Sequence, residues 1–104
     1  MALTDIQKEV HEFTKQFTPQ YWPANEQMNH LMQEVGELAR EVNHLHGIEK
    51  KKNNEEGKLG EEIADVIFTL CCLANSHDIY LEDEFQKKLD KIWKRDKDRF
   101  EKKD

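Results

Sequence analysis

Two short acidic patterns carry the chemistry of this sequence: Glu34-x-x-Glu37, with Glu41 one turn further on, and Glu62-x-x-Asp65, with Glu61 beside it. At about 100° per residue, Glu34, Glu37 and Glu41 share one edge of a helix, and Glu62 and Asp65 share an edge of another. Like charges at this spacing repel. Two carboxylates ~6 Å apart at an effective dielectric near 20 repel by roughly 3 kcal/mol. Several such pairs rival the ~5–15 kcal/mol that holds a small domain together.

Asp65 sharpens the problem. From Ile63 to Ala74 it is the one charged side chain, in a run whose other plainly polar member is Thr69. An isolated buried carboxylate costs many kcal/mol or takes up a proton. Either these groups splay into solvent, or some protonate, or divalent cations bind. E-x-x-E alone is common on solvated helix faces. Two acidic pairs close in sequence, one of them in an apolar run, favour the cation. Carboxylate donors point to Mg²⁺, with Mn²⁺ as a substitute, rather than to zinc. The five histidines show no zinc spacing: His44 and His46 face apart, and His11, His30 and His77 are scattered. All five read as surface or helix-end residues.

The elements that must position these groups are helices. Leu3, Ile6, Val10, Phe13 and Phe17 form one apolar stripe at steps of three and four, and Thr4 with Gln7 resembles a capping box. Pro19 and Pro23 break the pattern across 18–25. A second helix is expected from Glu26 to His46, with Gly47 placed to end it. Residues 48–57 are polar without an apolar period and read as a loop. A third helix should run from Lys58 to His77 and a fourth from Glu82 to Glu101, with Phe85, Leu89, Ile92, Trp93 and Phe100 facing inward. The expectation is an all-α, four-helix bundle-like chain in a single domain spanning 1–104. Helix three, apolar around most of its circumference, is expected at the centre and at an oligomer interface.

Composition narrows the class. A chain of 104 residues with formal charge −6 lacks the basic surface of a general nucleic-acid binder. Charge is uneven: residues 86–104 hold nine Lys/Arg against five Asp/Glu, so an acidic body carries a basic C-terminal helix. The apolar run falls short of the ~18–20 residues that span a membrane, and no apolar leader region opens the chain. Adjacent Cys71 and Cys72 point about 100° apart on a helix and read as small core residues in a reducing compartment. A cytoplasmic protein, with neither nucleic-acid nor membrane partners, is the expectation.

"EVGELAREVNHLHG" followed by "LGEEIADVIFTLCCLAN" resembles the MazG-like all-α nucleoside triphosphate pyrophosphohydrolases, in particular the short single-domain YpjD type. The resemblance covers essentially the whole chain, including "DIYLEDEF" before the last helix. It implies a homodimer or a dimer of dimers (a homotetramer) that splits nucleoside triphosphates between the α and β phosphates, a nucleotide-pool house-cleaning activity. Residue by residue, it implies Glu34, Glu37, Glu62 and Asp65 as Mg²⁺ ligands. Lys58 matches a phosphate contact, and Lys91 and Arg95 match a basic pair. The catalytic step would fall to Glu37, Glu61 and Lys58. Many members carry a glutamate where this chain has Gln33, which leaves Glu61 or Glu41 to supply that carboxylate. Trp22 and Tyr21 can stack a nucleobase, with Asn25 or His30 on its edge, or the aromatics can simply close the bundle end; Trp93 reads as core. The competing functions are a phosphoribosyl-ATP pyrophosphohydrolase-like enzyme and a non-catalytic helical oligomerisation or regulatory module.

Overall fold

The computed structural model describes residues 2–46, 58–100 and 102–103. Four α-helices follow in order: α1 (Leu3–Thr14), α2 (Ala24–His46), α3 (Leu59–Ser76) and α4 (Leu81–Asp96). The described residues contain no strand, as the periodicity required. Gly47 and the expected 48–57 loop lie outside the described residues.

Three pairings show that α2 and α3 run antiparallel. Near its end, α2 offers Glu41 to the Lys58 amide that opens α3, at 3.1 Å. At its middle, Glu34 meets Glu62 and Asp65. Near its start, Gln27 donates to Ser76 at the end of α3, at 3.2 Å. The acidic edges therefore converge because the two helices pack face to face. α3 packs against both α1 and α2, which confirms its central place.

α1 stops at Thr14, short of the expected Phe17. α2 begins two residues earlier than expected, because the Pro23 carbonyl accepts from the Glu26 and Gln27 amides at 3.0 Å each. No Thr4–Gln7 capping box forms. The Ala2 amide instead donates to Asp5 Oδ2 at 3.2 Å, and Gln7 is buried and works at long range. Its Nε2 donates to Asn75 Oδ1 and to the Ile79 carbonyl, both at 2.8 Å, while its Oε1 accepts from the Leu81 amide, also at 2.8 Å. One side chain thus ties α1 to the junction of α3 and α4, and satisfies an amide that a helix start leaves unpaired.

That junction is a Schellman turn: Ile79 N–H bonds the Ala74 carbonyl at 2.9 Å and Asp78 N–H bonds that of Asn75 at 3.2 Å. Asp78 takes the left-handed position that closes it, at φ 55°. From there α4 packs chiefly on α1 rather than on the α2–α3 pair. The expected inner face of α4 is consequently open in a single chain: Trp93, read as core, is 72% exposed, and Phe85, Ile92 and Phe100 are exposed too. α4 also ends at Asp96, five residues before the expected Glu101. Among the described apolar residues, Val10, Cys71 and Ala74 alone are buried. The radius of gyration, 17.3 Å, exceeds the ~13 Å of a compact chain this long.

Candidate functional site

Glu34 from α2 and Glu62 and Asp65 from α3 bring one carboxylate oxygen each within 4.8 Å of the others. The spacing that predicted convergence was right, but Asp65 is not the buried charge that its apolar neighbours imply. Ile63, Ile67 and Phe68 beside it are themselves at least 41% exposed. Its backbone carbonyl accepts from the Thr69 hydroxyl at 3.1 Å, which occupies that polar member of the run.

Two oxygens of this cluster, Glu34 Oε2 and Glu62 Oε2, are shut away from solvent without a hydrogen-bond partner. Glu34 does have one counter-group: its Oε1 lies 3.0 Å from His30 Nε2, one turn earlier on α2. Burial pushes the Glu62 carboxyl above the ordinary glutamate range, and the charges of Glu37 and Asp65 push it further, with Glu34 adding to them. Glu37 is exposed at the rim and close enough to hydrogen-bond Glu62. Two unpaired carboxyl oxygens, one of them on the group that resists ionisation, fit a divalent cation of the oxygen-seeking kind.

The raised Glu62 value has a consequence for the metal-free protein. A carboxyl held above its unfolded pKa weakens the fold once it ionises, so this cost is absent below the unfolded value and develops as pH rises through the folded one. In chelator, Glu62→Gln should therefore match the wild type at acid pH and gain on it as pH rises above 4.5, levelling off once Glu62 is fully ionised. Thermal unfolding at a series of pH values reads this. An advantage that does not grow with pH would mean that Glu62 is already relieved.

The other expected residues divide. Glu41 is buried and accepts the Lys58 amide at the start of α3, where an anion also suits the helix dipole. It is a helix-capping group, and Glu61 is exposed one residue before Glu62. Lys58 is exposed four residues before Glu62. For Lys91 and Arg95 no contact with the cluster is described within one chain, since α4 packs chiefly on α1. Arg95 is instead forked onto its neighbour Asp96, with Nε to Oδ1 at 3.0 Å and Nη2 to Oδ2 at 2.9 Å.

Beside the carboxylates lies a cavity of about 440 Å³ whose walls are mostly apolar. Trp22 and His30 both line it, their rings edge to face at 5.5 Å. His30 is therefore no ordinary surface histidine: it joins this cavity to Glu34. Asn25 is exposed and does not line it. Sequence reasoning missed Phe13 and Phe17 from the α1 end, Phe68 from α3, and Gln27, all of them wall residues. The phenylalanines were read as core stripe, and nothing in the pattern marks a lone glutamine. Cys72 is in the wall as well, but burial first and the neighbouring Cys71 second push its thiol up to about 11, so it is no nucleophile near neutrality.

Residues 24–100, the span carrying α2, α3 and α4, match the MazG nucleotide pyrophosphohydrolase domain. The chain belongs to this family. The YpjD protein of Bacillus subtilis strain 168, itself uncharacterised, is 47% identical over 104 residues, covering 99% of this chain and 94% of YpjD. YvdC of the same strain, also uncharacterised, is 35% identical over 103 residues, covering 91% of this chain and 96% of YvdC. The crystal structure of B. subtilis YpjD, a proposed pyrophosphatase, superposes with a TM-score of 0.82 at 45% identity, covering 88% of this chain and 95% of that one. A Bacillus-conserved MazG protein, described as a nucleotide pyrophosphohydrolase, gives 0.79 at 41% identity, over 94% of this chain and 96% of its own. Like its family, this MazG-type protein is a hydrolase of nucleotide pyrophosphate bonds. MazG enzymes are generally dependent on divalent metal, and the carboxylate cluster is the matching feature here.

Proposed function

We propose that the protein hydrolyses nucleoside or deoxynucleoside triphosphates between the α and β phosphates in a Mg²⁺-dependent reaction, giving the monophosphate and pyrophosphate. The observation that carries this is the meeting of Glu34, Glu62 and Asp65, with two of their oxygens buried and unpaired. Glu34, Glu62 and Asp65 hold the cation, with Glu37 closing the set from the rim. A cation bound there neutralises phosphate oxygens and acidifies water.

Glu37 and Glu61 are the carboxylates placed to orient the attacking water and take its proton. Lys58, at the mouth of α3, balances charge building on the departing pyrophosphate. Trp22 and His30 receive the base in the adjoining cavity, and Asn25 stands outside it at the rim. The cavity and the carboxylates are joined through His30–Glu34 and Thr69–Asp65, so base and phosphates lie on neighbouring surfaces. A cytoplasmic house-cleaning role for nucleotide pools agrees with this arrangement.

The same domain self-associates in our reading, as a dimer or a dimer of dimers. Support comes from the open apolar faces: Met32 and Val35 on α2, Ile67 and Leu70 on α3, and Ile92 and Trp93 on α4 are all at least 38% exposed. So many large apolar side chains left exposed are rare on a stable monomer. An interface of about 2,000 Å² or more is expected. Sedimentation should give no monomer at micromolar concentration, and a stable, active monomer would contradict it.

Pyrophosphate release from a panel of nucleotides, with and without Mg²⁺, tests the activity. Release from triphosphates that stops in chelator is expected. Release from phosphoribosyl-ATP alone would return the related enzyme, and none from any substrate would leave a non-catalytic helical module.

A further inference from the structure

Glu34 has reason to leave the acidic centre. One of its oxygens stands within 4.8 Å of one from Glu62 and one from Asp65, and like charges at that range repel. A glutamate also has the side-chain torsions with which to swing towards water. Its side chain is nevertheless only 13% exposed, with Oε2 shut away from solvent and unpaired.

Glu62 answers the crowding by resisting ionisation. Glu34 has a different answer. Among the described residues its one hydrogen-bonding partner is His30, whose Nε2 lies 3.0 Å from Oε1. A carboxylate oxygen accepts and does not donate, so the hydrogen of this bond sits on Nε2. His30 stands one turn before Glu34, the spacing at which side chains on a helix meet. The bond takes Oε1 and leaves Oε2 as the oxygen without a partner.

The imidazole is itself steadied. Its ring stands edge to face on Trp22, with centroids 5.5 Å apart and planes at 86°, in the wall of the cavity. The side chain is otherwise 39% exposed, and packing at so open a position does not call for a histidine. What the ring adds there is a donor.

We propose that His30 is a positioning residue for the cation: its Nε2–H fixes Glu34 Oε1, so that Oε2 is ready for a divalent ion before one arrives. The inference rests on the cation part of the reading above and adds to it a residue outside the ligand set. A hydrogen-bond partner of a ligating group is typically worth roughly 10–100-fold in metal affinity. The gain comes from arrangement in advance, since a carboxylate that must first be drawn in loses part of the binding free energy to its own ordering.

Titration calorimetry with Mg²⁺ alone, on the whole chain without nucleotide, tests this in His30→Phe and His30→Gln. Phenylalanine keeps a flat ring against Trp22 and removes the donor. Glutamine gives up the ring and keeps an N–H at a similar reach. His30→Phe should bind Mg²⁺ about tenfold more weakly or worse, and His30→Gln should recover most of that loss. Wild-type affinity in His30→Phe overturns the inference and returns the ring to the cavity wall alone. Tighter binding there overturns it too, since the imidazole would then oppose the ion. An equal loss in both variants also overturns it, because the site would need the ring and not its N–H. No Mg²⁺ binding by the wild type removes the cation reading and this inference with it. The expected pattern of binding without hydrolysis of any triphosphate would sink the activity and keep the role of His30.

Discussion

Asp65→Asn is expected to remove most divalent-cation binding and to lower turnover by ~10²–10³-fold. The carboxamide keeps the shape of the side chain but offers the cation a neutral oxygen in place of an anionic one, and each charge-stabilising contact in such a site is worth 10²–10³-fold. The helix itself should not notice, since the bond from Thr69 runs to the Asp65 backbone carbonyl. Without metal the variant should be as stable as the wild type or more so, because the Asp65 charge is one of those holding Glu62 back from ionising. Calorimetric titration with Mg²⁺ and steady-state pyrophosphate release make the comparison. Undiminished cation binding in the variant would remove the three carboxylates from consideration as a metal centre.

Replacing both Lys91 and Arg95 with Gln should slow turnover by ~10²-fold or more if these cations steady the leaving pyrophosphate. If they only solvate α4, stability should change by about half a kcal/mol and turnover not at all. The structure adds a condition to the first outcome. Within one chain α4 packs chiefly on α1, so the expectation is that another copy brings these cations to the site they serve. Cation affinity of the free enzyme should stay unchanged, because Lys91 and Arg95 ligate no metal. A mixing experiment reads the condition directly. Asp65→Asn retains an intact basic helix, and the Lys91→Gln/Arg95→Gln double variant retains intact carboxylates. Refolded together as dimers, half the molecules should be mixed, each with one whole site of two, restoring about a quarter of wild-type activity. No recovery, with the double variant slow, would place the cations in their own chain's site. Normal rates in the double variant would return them to solvent.

The acidic centre was legible in the sequence because helical period fixes which carboxylates share an edge, and Glu34, Glu62 and Asp65 needed only an antiparallel packing to meet. The burial of Asp65 was misjudged for a physical reason. An apolar run around a helix shows that its faces are covered by something, and not whether the cover belongs to the same chain. The same ambiguity put Trp93 in a core that one chain does not build. Polar residues without a period were harder still. Gln7 and Gln27 each look like a solvated helix position, and only the tertiary structure shows one closing the start of α4 and the other with an oxygen left over. His30 was nearer to hand, one turn before Glu34, but its spacing does not distinguish a surface pair from a link between two sites.

The attachment of Glu41 to Lys58, with that of Gln27 to Ser76 at the opposite end, bears on how this protein can change over evolutionary time. Two pegs on either side of the carboxylates hold α2 and α3 against sliding, and a slip of one turn, about 5.4 Å, would break both at once. The alignment of the acidic groups is therefore written into the helices and not into the chain that joins them. A change of length between His46 and Lys58 should leave both pegs in place, whereas a single residue added or lost inside either helix turns every group beyond it by about 100°. Lineages of this fold should accordingly drift in the length of that connection while keeping the spacing from Gln27 to Glu41 and from Lys58 to Ser76.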